Sequence, residues 1–370
     1  MNETSLGGAR TVAQLRELAY DSGFEVVDAS VGSPVDPPPA VVPHLLASSG
    51  VERHYPRSDG SPGFKDAALA WLLRSAGVAL DVAQVGATIG SKEFITTLPA
   101  ILARQRQDRD VVLVPSIAYP SYAVGARWAG LEVYPMPLGA DGGPDFGAIP
   151  EEVAVRALLA WVNSPNNPTG AIYDLAGASR FGERHGVIIA SDECYRDFGW
   201  SGQPGSLLEF GTASHIGVFS LSKRSNLAGL RIGIYAGDTD LIREIAQTRR
   251  ELGLMPPGPV QAVAARIFED EEHVLEQRRR YLERLELLAG WMSRLLDTPV
   301  SPPQGGIYLW VPATAEFNHD GTALARMLAS KIGLVVAPGE NYGDPRFVRI
   351  AATISSGQME ALAPRMGSAG

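Results

Sequence analysis

Four short apolar runs, each closed by polar or turn-forming residues, constrain the fold more than any other feature of this 370-residue chain. They are Val111-Val112-Leu113-Val114, Ala157-Leu158-Leu159-Ala160-Trp161-Val162, Val187-Ile188-Ile189-Ala190 and Ile216-Gly217-Val218-Phe219. Continuous rather than alternating apolarity at this length fits strands buried on both faces of a mainly parallel sheet. Helical patterns fall between the runs, for example over 93–104 and 177–185, so residues 44–238 read as α/β with helices on both faces of the sheet. Ahead of this region lie a helix over 11–19, a strand over 25–31 and a Pro-rich turn over 33–39. Beyond Pro256 the texture changes. Residues 260–268 and 272–296 read as amphipathic helices, and 306–311 and 347–351 as short strands. The pattern predicts a large domain over 45–255 and a smaller α+β domain assembled from 1–44 and 256–370. Two domains suit the length at roughly 100–200 residues each.

Composition narrows the class of function. Apolar residues are 45% and charged residues 20%, which is globular. Lys and Arg number 32 against 41 Asp and Glu, a net charge of −9, and no basic tract offers a footprint for nucleic acid. No apolar run reaches the ~18 residues of a membrane span. Cys194 is the single cysteine, which excludes an internal disulfide and a cysteine-based metal cluster, and no metal is expected. The first twenty residues carry no basic-then-apolar leader pattern, so a cytoplasmic protein is expected. Only four lysines occur: Lys65, Lys92, Lys223 and Lys331.

Several segments carry possible chemistry, and each has a plainer alternative. In Val218-Phe219-Ser220-Leu221-Ser222-Lys223 a buried run opens into two serines and a lysine, with Arg231 eight residues on. Ser hydroxyls and a guanidinium suit phosphate oxygens, and the lysine suits a Schiff base with a carbonyl cofactor; an exposed Ser/Lys loop without function is the alternative. Gly90-Ser91-Lys92-Glu93 opens a helix whose free N–H groups form an anion site. It also reads as a degraded nucleotide P-loop, with the Ser and Lys in the wrong order, or as a plain helix start capped by Ser91. Asn166-Asn167-Pro168-Thr169-Gly170 presents Asn167 on a stiff turn, for a ligand oxygen or only to reverse the chain. Asp192 and Tyr195 follow the run ending at Ala190, at the carboxyl edge where open α/β sheets bind ligands. Asp192 suits a cationic ring nitrogen and Tyr195 a phenolate; a polar strand end is the alternative. Cys194 between them reads as packing. Tyr119 could stack on a planar ligand. Arg349 stands in the apolar run Phe347-Val348-Arg349-Ile350-Ala351; its partner is a substrate carboxylate or a structural Asp or Glu. Tyr55 reads as core or as a ligand contact.

Taken in order, these segments resemble the fold-type I, pyridoxal-phosphate-dependent aminotransferases of the aspartate aminotransferase class. The resemblance runs from Val31-Gly32-Ser33-Pro34 to Arg349. It is most specific in Ser220-x-Ser222-Lys223 with Gly229-x-Arg231, preceded by Asn167-Pro168-Thr169-Gly170 and Asp192-x-x-Tyr195. The resemblance implies a large domain with a mainly parallel seven-stranded sheet between helices, a smaller α+β domain, and a homodimer. It implies that Lys223 forms the imine with pyridoxal 5′-phosphate and moves the substrate proton, and that Asp192 keeps the ring nitrogen protonated. Tyr195 and Asn167 would bond the phenolate oxygen, and Tyr119 would stack on the ring. Ser91, Lys92 through its backbone, Ser220, Ser222 and Arg231 would hold the phosphate, with Tyr55 reaching the phosphate in the neighbouring subunit. Arg349, assisted by backbone at Gly32, would hold the substrate α-carboxylate.

Ser191-Asp192-Glu193-Cys194-Tyr195, Thr88-Ile89-Gly90-Ser91-Lys92-Glu93 and Pro257-Gly258-Pro259-Val260-Gln261-Ala262 look like N-succinyldiaminopimelate aminotransferases of the actinobacterial type. That likeness implies ping-pong amino transfer with glutamate and 2-oxoglutarate in the diaminopimelate and lysine route. The alternatives are an aminotransferase of aspartate, alanine or aromatic substrates, a C–S β-lyase using the same cofactor, and a non-catalytic phosphate-binding protein.

Overall fold

The computed structural model describes residues 3–48, 50–51 and 53–368; the extreme ends of the outlined smaller domain lie outside the described residues. In chain order the strands are β1 (Val27–Asp28), β2 (Val85–Thr88), β3 (Val111–Pro115), β4 (Glu132–Met136), β5 (Ala157–Asn163), β6 (Ile188–Asp192), β7 (His215–Ser220), β8 (Gly233–Gly237), β9 (Tyr308–Pro312), β10 (Leu334–Val335), β11 (Ala337–Pro338) and β12 (Phe347–Ala351).

Seven of them form one sheet in the order β2-β8-β7-β6-β5-β3-β4. Neighbours from β4 through β7 are parallel, while β8 runs antiparallel to both β7 and β2. This is the expected mainly parallel sheet, with an antiparallel end that the apolar runs do not reveal. The apolar runs coincide with β3, β5, β6 and β7. The strands outside them have readable causes. β2 and β8 are glycine-rich because backbones and rings approach closely there: a Cβ on Gly86 would strike the Tyr235 ring, and one on Gly237 would strike the His215 carbonyl. β4 is a half-exposed edge strand containing Pro135.

Alternate residues of β3 enter different cores, as the two-residue period requires. Val112 and Val114 pack with Phe94, Leu98 and Tyr122, whereas Val111 and Leu113 pack with Ala178 and Phe181. Leu158, Leu159, Trp161 and Val162 of β5 are wholly buried, each contributing about 1.5–3 kcal/mol by leaving water. Such burial on both faces makes the central strands a rigid platform.

Most of the remaining chain forms a second cluster. Helices Glu272–Leu295, Gly321–Ile332 and Ser356–Ser368 pack on the antiparallel sheet β11-β12-β9. The N-terminal strand is shorter than 25–31, but β1 pairs in parallel with β10 and brings Val27 and Ala29 into this cluster. Helix Gly258–Phe268, which the sequence places with the smaller domain, packs Val263 and Ile267 against Phe64 and Trp71 on the large-sheet side. On that packing we propose drawing the boundary after Phe268 rather than at 255. No described helix is long and apolar enough to cross a membrane.

Candidate active site

The carboxyl ends of β5, β6 and β7 lie side by side, with Asn163 opposite Asp192 and Asp192 opposite Val218 in the register. Asn163 ties these ends together. Its amide donates to the Asp192 carbonyl at 2.7 Å and its Oδ1 accepts from the Asn167 N–H at 2.7 Å, which fixes the turn that presents Asn167. Beyond β7, Ser220 caps a single helical turn, Leu221–Arg224, its Oγ accepting from the Ser222 N–H at 3.1 Å. That turn projects Lys223.

A cavity of about 390 Å³ opens over this edge. Lys223, Asp192, Tyr195 and Asn167 line it, as do Ser91, Lys92, Ser220, Ser222 and Arg231, and so do Tyr119, Gly32 and Arg349. Every site residue expected from the sequence meets there except Tyr55. Tyr55 is 96% exposed on the outer surface, which removes the reading of it as core.

Burial and hydrogen bonding bear on several of the alternatives left open by sequence. Lys223 is no free surface loop: its Nζ donates to the Gly32 carbonyl, and burial draws its pKa down. A lysine with a lowered pKa has more neutral amine, the form that attacks an aldehyde. Asp192 is buried, accepting from the Tyr122 hydroxyl at 2.7 Å and the Cys194 N–H at 3.1 Å. Burial pushes its pKa up, more than those hydrogen bonds pull it down. No ion pair among the described residues engages it, so the carboxylate lacks the cation that would stabilise it. Arg349, 4% exposed, has no carboxylate partner among the described residues, against the salt-bridge alternative. Its Nη1 donates to Asn167 Oδ1 at 2.9 Å and its Nη2 to the Ser30 carbonyl at 2.7 Å. The guanidinium lies between the rings of Tyr308 and Tyr342, at 4.1 and 4.5 Å, and its Nε is left without a partner.

At the other end of the cavity stands the start of helix Ser91–Ala103. Gly90, not Ser91, is its N-cap, with φ +72°. A Cβ there would run into the Arg231 guanidinium, so glycine keeps open the space between the helix N–H groups and that cation. Glu93, in the first turn, makes a bidentate pair with Arg249 at 2.7 and 2.9 Å and accepts from the Ile89 N–H at 3.2 Å. Arg249 is wholly buried. Replacing Glu93 by Gln strands that charge, and a loss of about 3 kcal/mol is expected, read as a lower urea midpoint; an unchanged midpoint would contradict this account of the helix start.

Pyridoxal phosphate fits these groups. The cavity holds four basic side chains, Lys92, Lys223, Arg231 and Arg349, against one acidic, Asp192, on a chain of net charge −9. The basic groups suit the anionic phosphate and a carboxylate, and a protonated ring nitrogen suits the unpaired Asp192. The likeness to known proteins decides the matter. A family model described as "Aminotransferase class I and II" matches residues 25–366.

The chain belongs to the class I and II aminotransferases.

Members of this family use pyridoxal 5′-phosphate, and this chain is a pyridoxal-phosphate-dependent transaminase. Among its relatives, 4-dedimethylamino-4-oxo-anhydrotetracycline transaminase OxyQ of Streptomyces rimosus is 36% identical, over 95% of each chain. LL-diaminopimelate aminotransferase 2 of Trichormus variabilis is 32% identical, over 96% of this chain and 94% of its own. The solved structure of a probable N-succinyldiaminopimelate aminotransferase from Thermus thermophilus is 30% identical, with a TM-score of 0.86 over 97% of this chain and 98% of its own. The relatives therefore spread over several substrates, and the narrow succinylated assignment drawn from short strings is wider in this light.

Sequence reasoning missed three residues of this aminotransferase site. Tyr122 grips Asp192 and stacks on Trp161 at 4.9 Å; Tyr308 and Tyr342 flank Arg349. Tyr122 lies in the first turn of helix Ser121–Trp128, just three positions after Tyr119, and that nearness to a residue already singled out was the available signal. Tyr308 and Tyr342 come from the far end of the chain, with no local pattern to mark them. Cys194 is buried packing as expected, its thiol pushed up by burial.

Proposed function

We propose that this transaminase moves an amino group between glutamate and an oxo acid of the diaminopimelate class, with the N-succinylated compound as first candidate. The single observation that carries the amino-acid half is Arg349: a buried guanidinium that opens on the cavity, clamped by Asn167 and Ser30 and paired with no carboxylate among the described residues. Such a fork suits an α-carboxylate bound bidentately. The diaminopimelate skeleton is supported by the strings around Asp192 and Gly90 and by the relatives named for it. Those same relatives favour a second reading, direct use of LL-diaminopimelate without an acyl group.

Bound pyridoxal phosphate supplies an aldehyde and a ring that withdraws electrons from the substrate Cα. Around it the chain divides the work. Lys223 Nζ would hold the cofactor between turnovers and, once displaced by the incoming substrate amine, would take the proton from the substrate Cα and deliver it to the former aldehyde carbon. Asp192 keeps a proton on the ring nitrogen. The Tyr195 hydroxyl and the Asn167 amide would donate to the ring oxygen, and Tyr119, which lines the same cavity, would stack on the ring. Ser91 and Lys92 through their N–H groups, with Ser220, Ser222 and Arg231, bind the phosphate. Gly32 lends backbone to the carboxylate held by Arg349. Tyr55, exposed in the single chain, reaches the phosphate of a second copy in a homodimer.

The test is a spectral half-reaction screen of the purified holoenzyme. Glutamate should convert the cofactor to its amine form, and succinyl-diaminopimelate or LL-diaminopimelate should do so at least about tenfold faster than aspartate, alanine or aromatic amino acids. A tenfold margin needs about 1.4 kcal/mol of selective binding. Indifference to both diaminopimelate compounds would sink the substrate class. Retention of the original spectrum with glutamate would favour the β-lyase instead.

A further inference from the structure

Tyr308 touches both halves of the site. It stands on β9, 3% exposed, with its hydroxyl 2.9 Å from that of Tyr195. Its ring carries the Arg349 guanidinium at 4.1 Å. Its hydroxyl also occupies the space beside Gly32, where no Cβ would fit, and Gly32 is the residue whose carbonyl receives Lys223.

Two hydroxyls that share one contact cannot both donate in it. Each of these phenols makes its one described hydrogen bond to the other, so the direction of that bond decides where the second proton points. The Arg349 guanidinium lies on the face of the Tyr308 ring, and a cation there draws electron density from that ring and polarises its O–H toward donation. Tyr195 then accepts. Its own O–H is left to turn into the cavity that both side chains line. Hydrogen bonds in such a chain reinforce one another by roughly 10–30%.

We propose that Tyr308 is a positioning residue: it donates its hydroxyl proton to Tyr195 and so aims the Tyr195 O–H at the bound cofactor's ring oxygen. The inference rests on the transaminase reading of the cavity, in which Tyr195 serves that oxygen. It adds a link between the two ends of the site, because the residue that stacks on the carboxylate-binding arginine also sets the donor for the cofactor.

The experiment titrates the visible absorbance of the holoenzyme against pH. Tyr308→Phe keeps the ring under Arg349 and removes only the hydroxyl. The absorbance midpoint should rise by about half to one pH unit, because a weaker donor stabilises the deprotonated chromophore less. The dissociation constant for pyridoxal phosphate should rise about threefold to tenfold, while the KM for glutamate stays within about twofold. Tyr195→Phe should raise the midpoint on its own, and adding Tyr308→Phe to it should change nothing further. An unmoved midpoint in Tyr308→Phe, or a shift that adds in full to that of Tyr195→Phe, overturns the proposal. A wild-type chain that takes up no pyridoxal phosphate would strike the functional reading itself, an outcome separate from either of these.

Discussion

Replacing Lys223 by Ala is expected to lower turnover by about 10⁴-fold or more and to abolish the visible spectrum of the lysine-bound cofactor. The magnitude follows from two losses at one atom. Burial draws the pKa of Nζ down, which readies this amine to bond an aldehyde. The same atom is the proposed proton carrier at the substrate Cα, and removing a positioned base costs about 10²–10⁴-fold alone. The other lysines do not substitute. Lys65 lies in helix Pro62–Ala76, buried in a salt bridge to Asp59 at 2.7 Å, Lys331 lies in helix Gly321–Ile332, and Lys92 stands at the phosphate end. The fold should survive, since Nζ makes a single hydrogen bond, to Gly32. Absorbance spectra and single-turnover rates check both parts; a variant that kept its colour and turned over near the wild-type rate would remove Lys223 from the mechanism.

The second large effect belongs to Asp192. Asp192→Asn keeps the shape of the side chain, still accepts from the Cys194 N–H through Oδ1 and can donate to the Tyr122 hydroxyl, while removing the charge. The half-reaction with glutamate should slow by about 10²–10³-fold, the range for losing a preorganised electrostatic partner in a site sheltered from water. Stability should move the other way or not at all. Burial already opposes the Asp192 charge, so a neutral amide relieves that cost in the cofactor-free chain. Melting of the apoprotein beside stopped-flow rates of the holoenzyme separates the two effects. Equal rates for both proteins would mean that the ring nitrogen does not depend on this carboxylate.

How far the fold was legible depended on whether an element's reason for existing was local. The runs at 111–114, 157–162, 187–190 and 216–219 declared their strands because a strand buried on both faces has no polar positions to disguise it. β2 and β8 escaped because their glycines answer to cross-strand partners, as Gly86 does to Tyr235 far along the chain. The site divided similarly. Lys223, Asp192 and Asn167 sit at strand ends, where topology brings ligand-binding groups together. Gly90 marked a helix start in the sequence, and its positive φ beside Arg231 gives the reason a glycine stands there. Tyr308 and Tyr342 were silent because their roles exist only once β9 and the turn Gly339–Tyr342 have folded around Arg349 of β12. The fate of Arg349 lay between these extremes: a charge in an apolar run announced a partner, and only the folded chain ruled out a structural carboxylate among the described residues.

The bond from Arg349 to the Ser30 carbonyl joins residues 319 apart in sequence. Closing so long a span comes late in acquiring structure, since its entropic cost precedes any reward. During synthesis the ribosome must have passed residue 349 before the amino-acid clamp can exist, although the segment carrying Asp192 and Lys223 has emerged well over a hundred residues earlier. A chain cut short of residue 349 would therefore lack the guanidinium proposed to seat the substrate, even with the strand ends that carry Asp192 and Lys223 already made.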